Sequence, residues 1–365
     1  MDIPENRMNR IAEIRKKIDT YWESLSAQGR TDVRIMEICG THTVSISRTG
    51  LRATFPKGLK LISGPGCPVC VTGQSYVDKA IYLARQPDVI IATYGDMIRV
   101  PGATGSLEAV RGEGGKVEVV YSAHQAVDLA RRCEDKQVVF LAIGFETTAP
   151  ATALAIRQAD EQKISNFFIL SSHKLVIPAM RALLNDKDIR IDGFLCPGHV
   201  SVITGWRVYE SIVNEFARPC VVAGFDDEQI LKGICEILRQ LVEQSPAACC
   251  VYPAVSETGN QHAQQVIHET FDVIDTYWRG IGIIPASGLG LKERFSRFDA
   301  DKRFNLPVFE EHDPPGCRCG EVISGKCIPP ECPLFGTICT PREPVGPCMV
   351  SSEGSCAAYY KYDRH

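Results

Sequence analysis

Short apolar runs alternate with stretches of helical periodicity along most of the chain. Ile11, Ile14, Ile18, Tyr21 and Leu25 recur at three- and four-residue steps and stop before Gly29, which predicts an amphipathic opening helix. Residues 33–38, 59–62, 88–92, 117–121 and 138–143 read as strands. Helical patterns at 76–85 and 122–133 lie between them, the second with Ser122 placed as an N-cap. The rhythm continues with strands at 167–170, 193–195, 220–223 and 249–251, and helices at 150–162, 178–185, 204–216 and 227–244. Residues 257–278 read as one long helix. Strands alternating with helices imply an α/β fold with parallel sheets covered on both faces. The boundaries that follow are a helix at 1–30, one α/β domain at 31–145, a second at 146–255, and a last region at 256–365.

From Asp313 onward the pattern changes. Pro, Gly and Cys dominate and the hydrophobic period disappears. Such a segment needs a staple, because it cannot bury enough apolar surface alone. Seven of the 16 cysteines fall here, at 317, 319, 327, 332, 339, 348 and 356.

Composition narrows what those cysteines do. The formal net charge is −4, which gives no reason to expect a nucleic-acid or acidic-membrane binder. No apolar run reaches the roughly 18–20 residues that cross a bilayer, and the start Met1-Asp2-Ile3-Pro4-Glu5-Asn6 lacks the pattern of a signal peptide. The expected compartment is the cytoplasm, where thiols stay reduced, so dense cysteine points to metal or redox chemistry.

Three more cysteines end predicted strands in Gly-rich loops: Cys39 in Cys39-Gly40-Thr41-His42-Thr43, and Cys67 and Cys70 in Gly64-Pro65-Gly66-Cys67-Pro68-Val69-Cys70. Ligand crevices of open α/β sheets lie beyond the carboxyl ends of the strands, so these cysteines can converge. A Cys-x-x-Cys pair chelates a metal or closes a disulfide. Spacing leaves open a metal site, a redox pair, or a buried structural Cys39. In the tail, Cys317, Cys332, Cys339 and Cys356 make one four-thiolate set, which suits a 4Fe-4S cluster or zinc. That choice leaves Cys319 and Cys348 as a pair.

Other polar landmarks follow strands. Gly144-Phe145-Glu146-Thr147-Thr148-Ala149-Pro150 opens a helix and reads as an anion site or as a plain capped turn. Asp96 is a candidate acid or base, or a helix cap. No P-loop occurs, and no dinucleotide fingerprint follows the first strand.

Five motifs in order, the two cysteine loops above, 144–150, Pro197-Gly198-His199-Val200-Ser201 and the tail Gly346-Pro347-Cys348-Met349-Val350-Ser351-Ser352-Glu353-Gly354, resemble the HypD family of nickel–iron hydrogenase maturation proteins. The resemblance implies two similar α/β domains around a cleft, with a third region holding a 4Fe-4S cluster. It implies a scaffold that assembles Fe(CN)2CO with the small chaperone HypC. Cyanide would come from the carboxy-terminal thiocyanate of HypE, itself charged through HypF. By motif, Cys39, Cys67 and Cys70 are the iron-site cysteines, and His42, Asp96, Glu146 and Thr147 line the same cleft. Cys317, Cys332, Cys339 and Cys356 ligate the cluster, with Cys319 and Cys348 as the redox pair beside it. One departure stands out: the family often has a second histidine after its first motif, and here Val44 follows Thr43. Two rival readings are a cluster-dependent protein disulfide reductase and a zinc-stapled interaction module.

Overall fold

A computed structural model describes residues 5–363. The first four residues of the segment read above for a signal peptide lie outside the described residues, as do Arg364 and His365. The strands in chain order are β1 (Val33–Glu37), β2 (Leu59–Ser63), β3 (Val89–Thr93), β4 (Lys116–Val119), β5 (Gln137–Gly144), β6 (Phe167–Lys174), β7 (Gly193–Pro197), β8 (Cys220–Ala223), β9 (Ala248–Cys250), β10 (Phe271–Trp278) and β11 (Gly282–Leu291).

They form two sheets. One has the order β2-β1-β7-β8-β9 and is parallel throughout. The other has the order β10-β11-β6-β5-β3-β4; it is parallel from β6 to β4 and antiparallel across the β10–β11 hairpin. All five residues of β3 are buried, and β5 is buried from Val138 onward. Such unbroken apolar runs are what strands covered on both faces require.

The opening helix, Glu5–Ala27, buries Ile18 and Leu25 and packs on the helix Asp227–Glu243. Ser122 caps its helix as expected, accepting from the Gln125 N–H at 3.3 Å. Among the described residues no helix is long and apolar enough to cross a membrane.

Two expectations need correction. The segment 257–278 is not one helix: a helix spans Gln261–Thr270, and the chain then turns directly into β10. Val273, Ile274, Thr276, Tyr277 and Trp278 are β-branched or aromatic, and pairing with β11 supplies partners that a helix does not. Nor do the sheets divide the chain into the sequential blocks 31–145 and 146–255. β5 and β6 pair side by side across that boundary, while β1 pairs with β7. The chain lays down β1 and β2, crosses to the other sheet for β3 to β6, and returns for β7 to β9.

Candidate metal and redox site

The two N-terminal cysteine loops meet at the ends of β1 and β2. Gly40 donates to the Gly66 carbonyl at 3.1 Å, and a Cβ on Gly66 would collide with the backbone of Cys39. Only glycine lets the loops approach this closely. Cys39 is the N-cap of the helix Gly40–Arg48, and Cys67 is the N-cap of the short helix Pro68–Val71. Cys67 and Cys70 are joined by a disulfide, with their Cα atoms 5.3 Å apart. Cys39 remains a free, buried thiol. Burial and the nearby Glu353 carboxylate push it up to about 11, while backbone N–H groups of His42 and Thr41 pull the other way. The thiol therefore rests protonated, and would have to lose that proton to serve as a metal ligand.

The tail segment completes this site, and sequence spacing gave no sign of it. Asp96 Oδ2 accepts from Ser351 Oγ at 3.1 Å and from the Ser352 N–H and Oγ at 2.9 Å each. Ser351 Oγ also lies 3.3 Å from Cys67 Sγ. Thr41 Oγ1 donates to Glu353 Oε1 at 2.7 Å. Ser351, Ser352 and Glu353 thus join Cys39, Thr41, Cys67, Cys70 and Asp96. Serine and glutamate have no diagnostic spacing, so only the tail motif as a block could have pointed to them.

Other expected residues lie elsewhere. The His42 ring donates from Nε2 to the Gly224 carbonyl at 2.9 Å and packs on Phe225. Burial drives its pKa down to about 4, so the ring is neutral. Glu146 turns toward the Val176 N–H, which it accepts at 3.0 Å, and lines a separate pocket. Thr147 is half-buried at the end of β5.

In the tail, Cys317, Cys319, Cys332, Cys339, Cys348 and Cys356 line one small pocket together with Leu334, Phe335 and Met349. Cys327 is buried outside it. All six thiols are free, so Cys319 and Cys348 are not bonded to each other here. The Cys356 N–H points to Cys348 Sγ at 3.4 Å and the Val345 N–H to Cys339 Sγ at 3.3 Å, the donors that buried sulfur needs. A Cβ on Gly346 would come within 2.8 Å of Cys317 Sγ.

Among the described residues no three His, Cys, Asp or Glu side chains close on one point as ligands of a single ion do. A cubane makes a different demand, because each thiolate meets its own iron at a separate corner. The six thiols around one pocket are soft donors of the right kind and include the four that such a cluster would take. The helices Cys319–Ile323 and Pro347–Val350 both pack on Pro68–Val71, so the pocket abuts the Cys67–Cys70 disulfide. Arg279, buried in the β10–β11 turn, fixes the end of that helix. It donates to the Thr72 carbonyl at 3.1 Å, to Gln74 at 3.2 Å and to Asp313 at 2.9 Å.

Two parallel-dominated sheets with flanking helices and a cysteine-rich C-terminal region define the class: an α/β protein with a thiol-lined tail. Within it, residues 10–363 match the HypD family, described as the hydrogenase formation hypA family, and the chain belongs to that family. It is 42% identical over 361 residues to the hydrogenase maturation factor HypD of Escherichia coli K12, covering 98% of this chain and 96% of that protein. It is 40% identical over 364 residues to the HypD factor of Cupriavidus necator, covering 97% and 96%. A putative hydrogenase expression/formation protein of Methanocaldococcus jannaschii is 42% identical over 358 residues, covering 98% and 99%.

Proposed function

We propose that this chain is a hydrogenase maturation factor on which the Fe(CN)2CO unit of a nickel–iron hydrogenase is assembled. It works with a HypC-type small chaperone and a HypE-type cyanide donor in the cytoplasm. One observation carries the reading. Residues 348–356 have both ends in the six-cysteine pocket, while Ser351, Ser352 and Glu353 in the middle touch Cys67, Asp96 and Thr41. A thiol-lined pocket and a second cysteine site are built from one piece of chain.

Iron is the cargo at the N-terminal site. Cys39 supplies a thiolate on metal binding, and Cys67 and Cys70 supply more only when their disulfide is open. Releasing cyanide from a thiocyanate breaks an S–C bond and takes two electrons. Oxidation of the Cys67/Cys70 dithiol to the disulfide gives two electrons and two protons; one proton completes the thiol on the donor, and the other is released as cyanide passes to the iron. A 4Fe-4S cluster held by Cys317, Cys332, Cys339 and Cys356 would supply electrons one at a time. Cys319 and Cys348 sit in the same pocket, on helices that pack against Pro68–Val71.

The test replaces Cys39 by Ala and records the infrared spectrum of the chain purified with its small chaperone. Loss of the cyanide and carbonyl bands is expected; bands at full intensity contradict a required ligand role. The Cys67–Cys70 disulfide also favours a second reading, a reductase of protein disulfides. That activity would need no iron beyond the cluster, so an iron count separates the two.

A further inference from the structure

Arg52 belongs to none of the cysteine motifs, yet its contacts gather the segments that carry them. Its guanidinium pairs with Glu37, the last residue of β1 and two residues before Cys39. It donates to Ser47 Oγ at 2.7 Å, on the helix Gly40–Arg48 that Cys39 caps. It stands 4.8 Å from the centre of the Tyr359 ring and 3.5 Å from Asp363 Oδ2. These two lie at the end of the helix Ser355–Tyr362, which carries Cys356 of the six-cysteine pocket and packs on Gly40–Arg48. Glu37 Oε1 also accepts from Ser63 Oγ at 3.3 Å, at the end of β2 and four residues before Cys67. One fork and one carboxylate thus join both cysteine loops to the tail helix.

Stability alone does not account for this pair. Glu37 is buried, and among the described residues Glu37 Oε2 and Arg52 Nε have no hydrogen-bond partner. Burying two charges is repaid only when the geometry is good and the remaining polar atoms are bonded. An apolar pair of similar volume is often as stable or more so. What an apolar pair lacks is direction. A planar guanidinium with five donors holds several neighbours at set angles at once, which neither a methionine nor a lysine does.

We propose that Arg52 and Glu37 are positioning residues for the N-terminal iron site, their pair fixing the two cysteine loops against the tail helix. The proposal rests on the reading of this chain as an iron scaffold. Both residues act through the backbone of the segments they join. Glu37 sets where β1 delivers Cys39, Ser63 follows it at the head of the Cys67 loop, and Tyr359 and Asp363 fix the tail helix beyond residues 351–353. With the pair in place, Cys39, Cys67 and the tail segment meet at one spacing; without it, each loop settles separately.

The test combines Glu37→Met with Arg52→Met in the full-length chain, which removes the pair and leaves no charge buried alone. The double variant should melt within about 5 °C of wild type and keep roughly four irons in the tail pocket. In the chain alone, hydrogen exchange should quicken at least threefold at residues 39–43 and at 356–362. In the complex with the small chaperone, the cyanide and carbonyl infrared bands should fall at least fivefold. Arg52→Lys keeps the charge opposite Glu37 and loses the fork, so the same loss of bands is expected of it, and it carries the test should the double variant not fold. Full-intensity bands in either folded variant, or unchanged exchange at either segment, would overturn the assignment. Bands missing from the wild-type complex as well would retire the scaffold reading instead, and the exchange measurement would then decide by itself whether the pair joins the loops to the tail.

Discussion

At the scale of single residues, burial decides which groups are ready to react. It holds the Glu146 carboxyl up at about 7, against backbone hydrogen bonds from Val176 and from Glu146 itself that lower it. Between the ordinary carboxylate value and about 7, the folded chain keeps a proton that the unfolded chain has lost. This residue's contribution to stability is therefore full at acid pH and falls as pH rises through that window. Glu146→Gln removes the effect. Urea unfolding at about pH 5 and about pH 8 should show wild type losing about 2–3 kcal/mol more than the variant over that interval; parallel pH profiles would contradict the burial argument. The residue scale is also where sequence was most and least informative. Cys39, Cys67 and Cys70 were legible because thiols in Gly-rich loops at strand ends have few roles. Their partners Ser351, Ser352 and Glu353 were not, because a hydroxyl or carboxylate gains meaning only from what the fold sets beside it. Glu146 and His42 were legible as special and misplaced, since motif order does not tell which way a side chain turns.

At the scale of elements, close approaches set the site. A methyl group at Gly66 meets the Cys39 backbone, so Gly66→Ala should push the two cysteine loops apart. The expected cost is about 1–3 kcal/mol of stability by thermal or urea unfolding, in line with overpacking elsewhere. Arg279 is the second control point. Replacing it by Met leaves the Thr72 carbonyl, Gln74 and Asp313 without their donor, at a cost of about 3 kcal/mol. Hydrogen exchange should quicken at residues 71–75; unchanged protection there would show that the turn does not secure the disulfide helix. Most elements were readable from periodicity within a residue or two. The failure at 257–278 came from a helix running into a strand without a break. Val273 and Ile274 continue a helical spacing by coincidence, and only the partner strand β11 reveals β10 as a strand.

At the scale of the whole molecule, strand order is the part that sequence could not supply. Local patterns predict a strand but not which sheet receives it, and here the chain visits the two sheets alternately. That path leaves the tail free to close over both the six-cysteine pocket and the N-terminal loops. The tail is also anchored at its far end, where Arg52 reaches buried Glu37 and, at 3.5 Å, Asp363. If the tail joins the two sites, Asp96→Ala should release its middle while leaving the pocket cysteines in place. Hydrogen exchange should then rise at residues 351–353 and stay unchanged at 356–362; equal protection in wild type and variant would contradict that linkage.

The most direct measurement counts iron and acid-labile sulfide in the oxygen-protected chain, alone and purified with its small chaperone. The account predicts about four irons and about four sulfides per chain alone, and about one further iron, with cyanide and carbonyl infrared bands, in the complex. A colourless chain holding zinc or no metal, yet still supporting hydrogenase maturation, would contradict it.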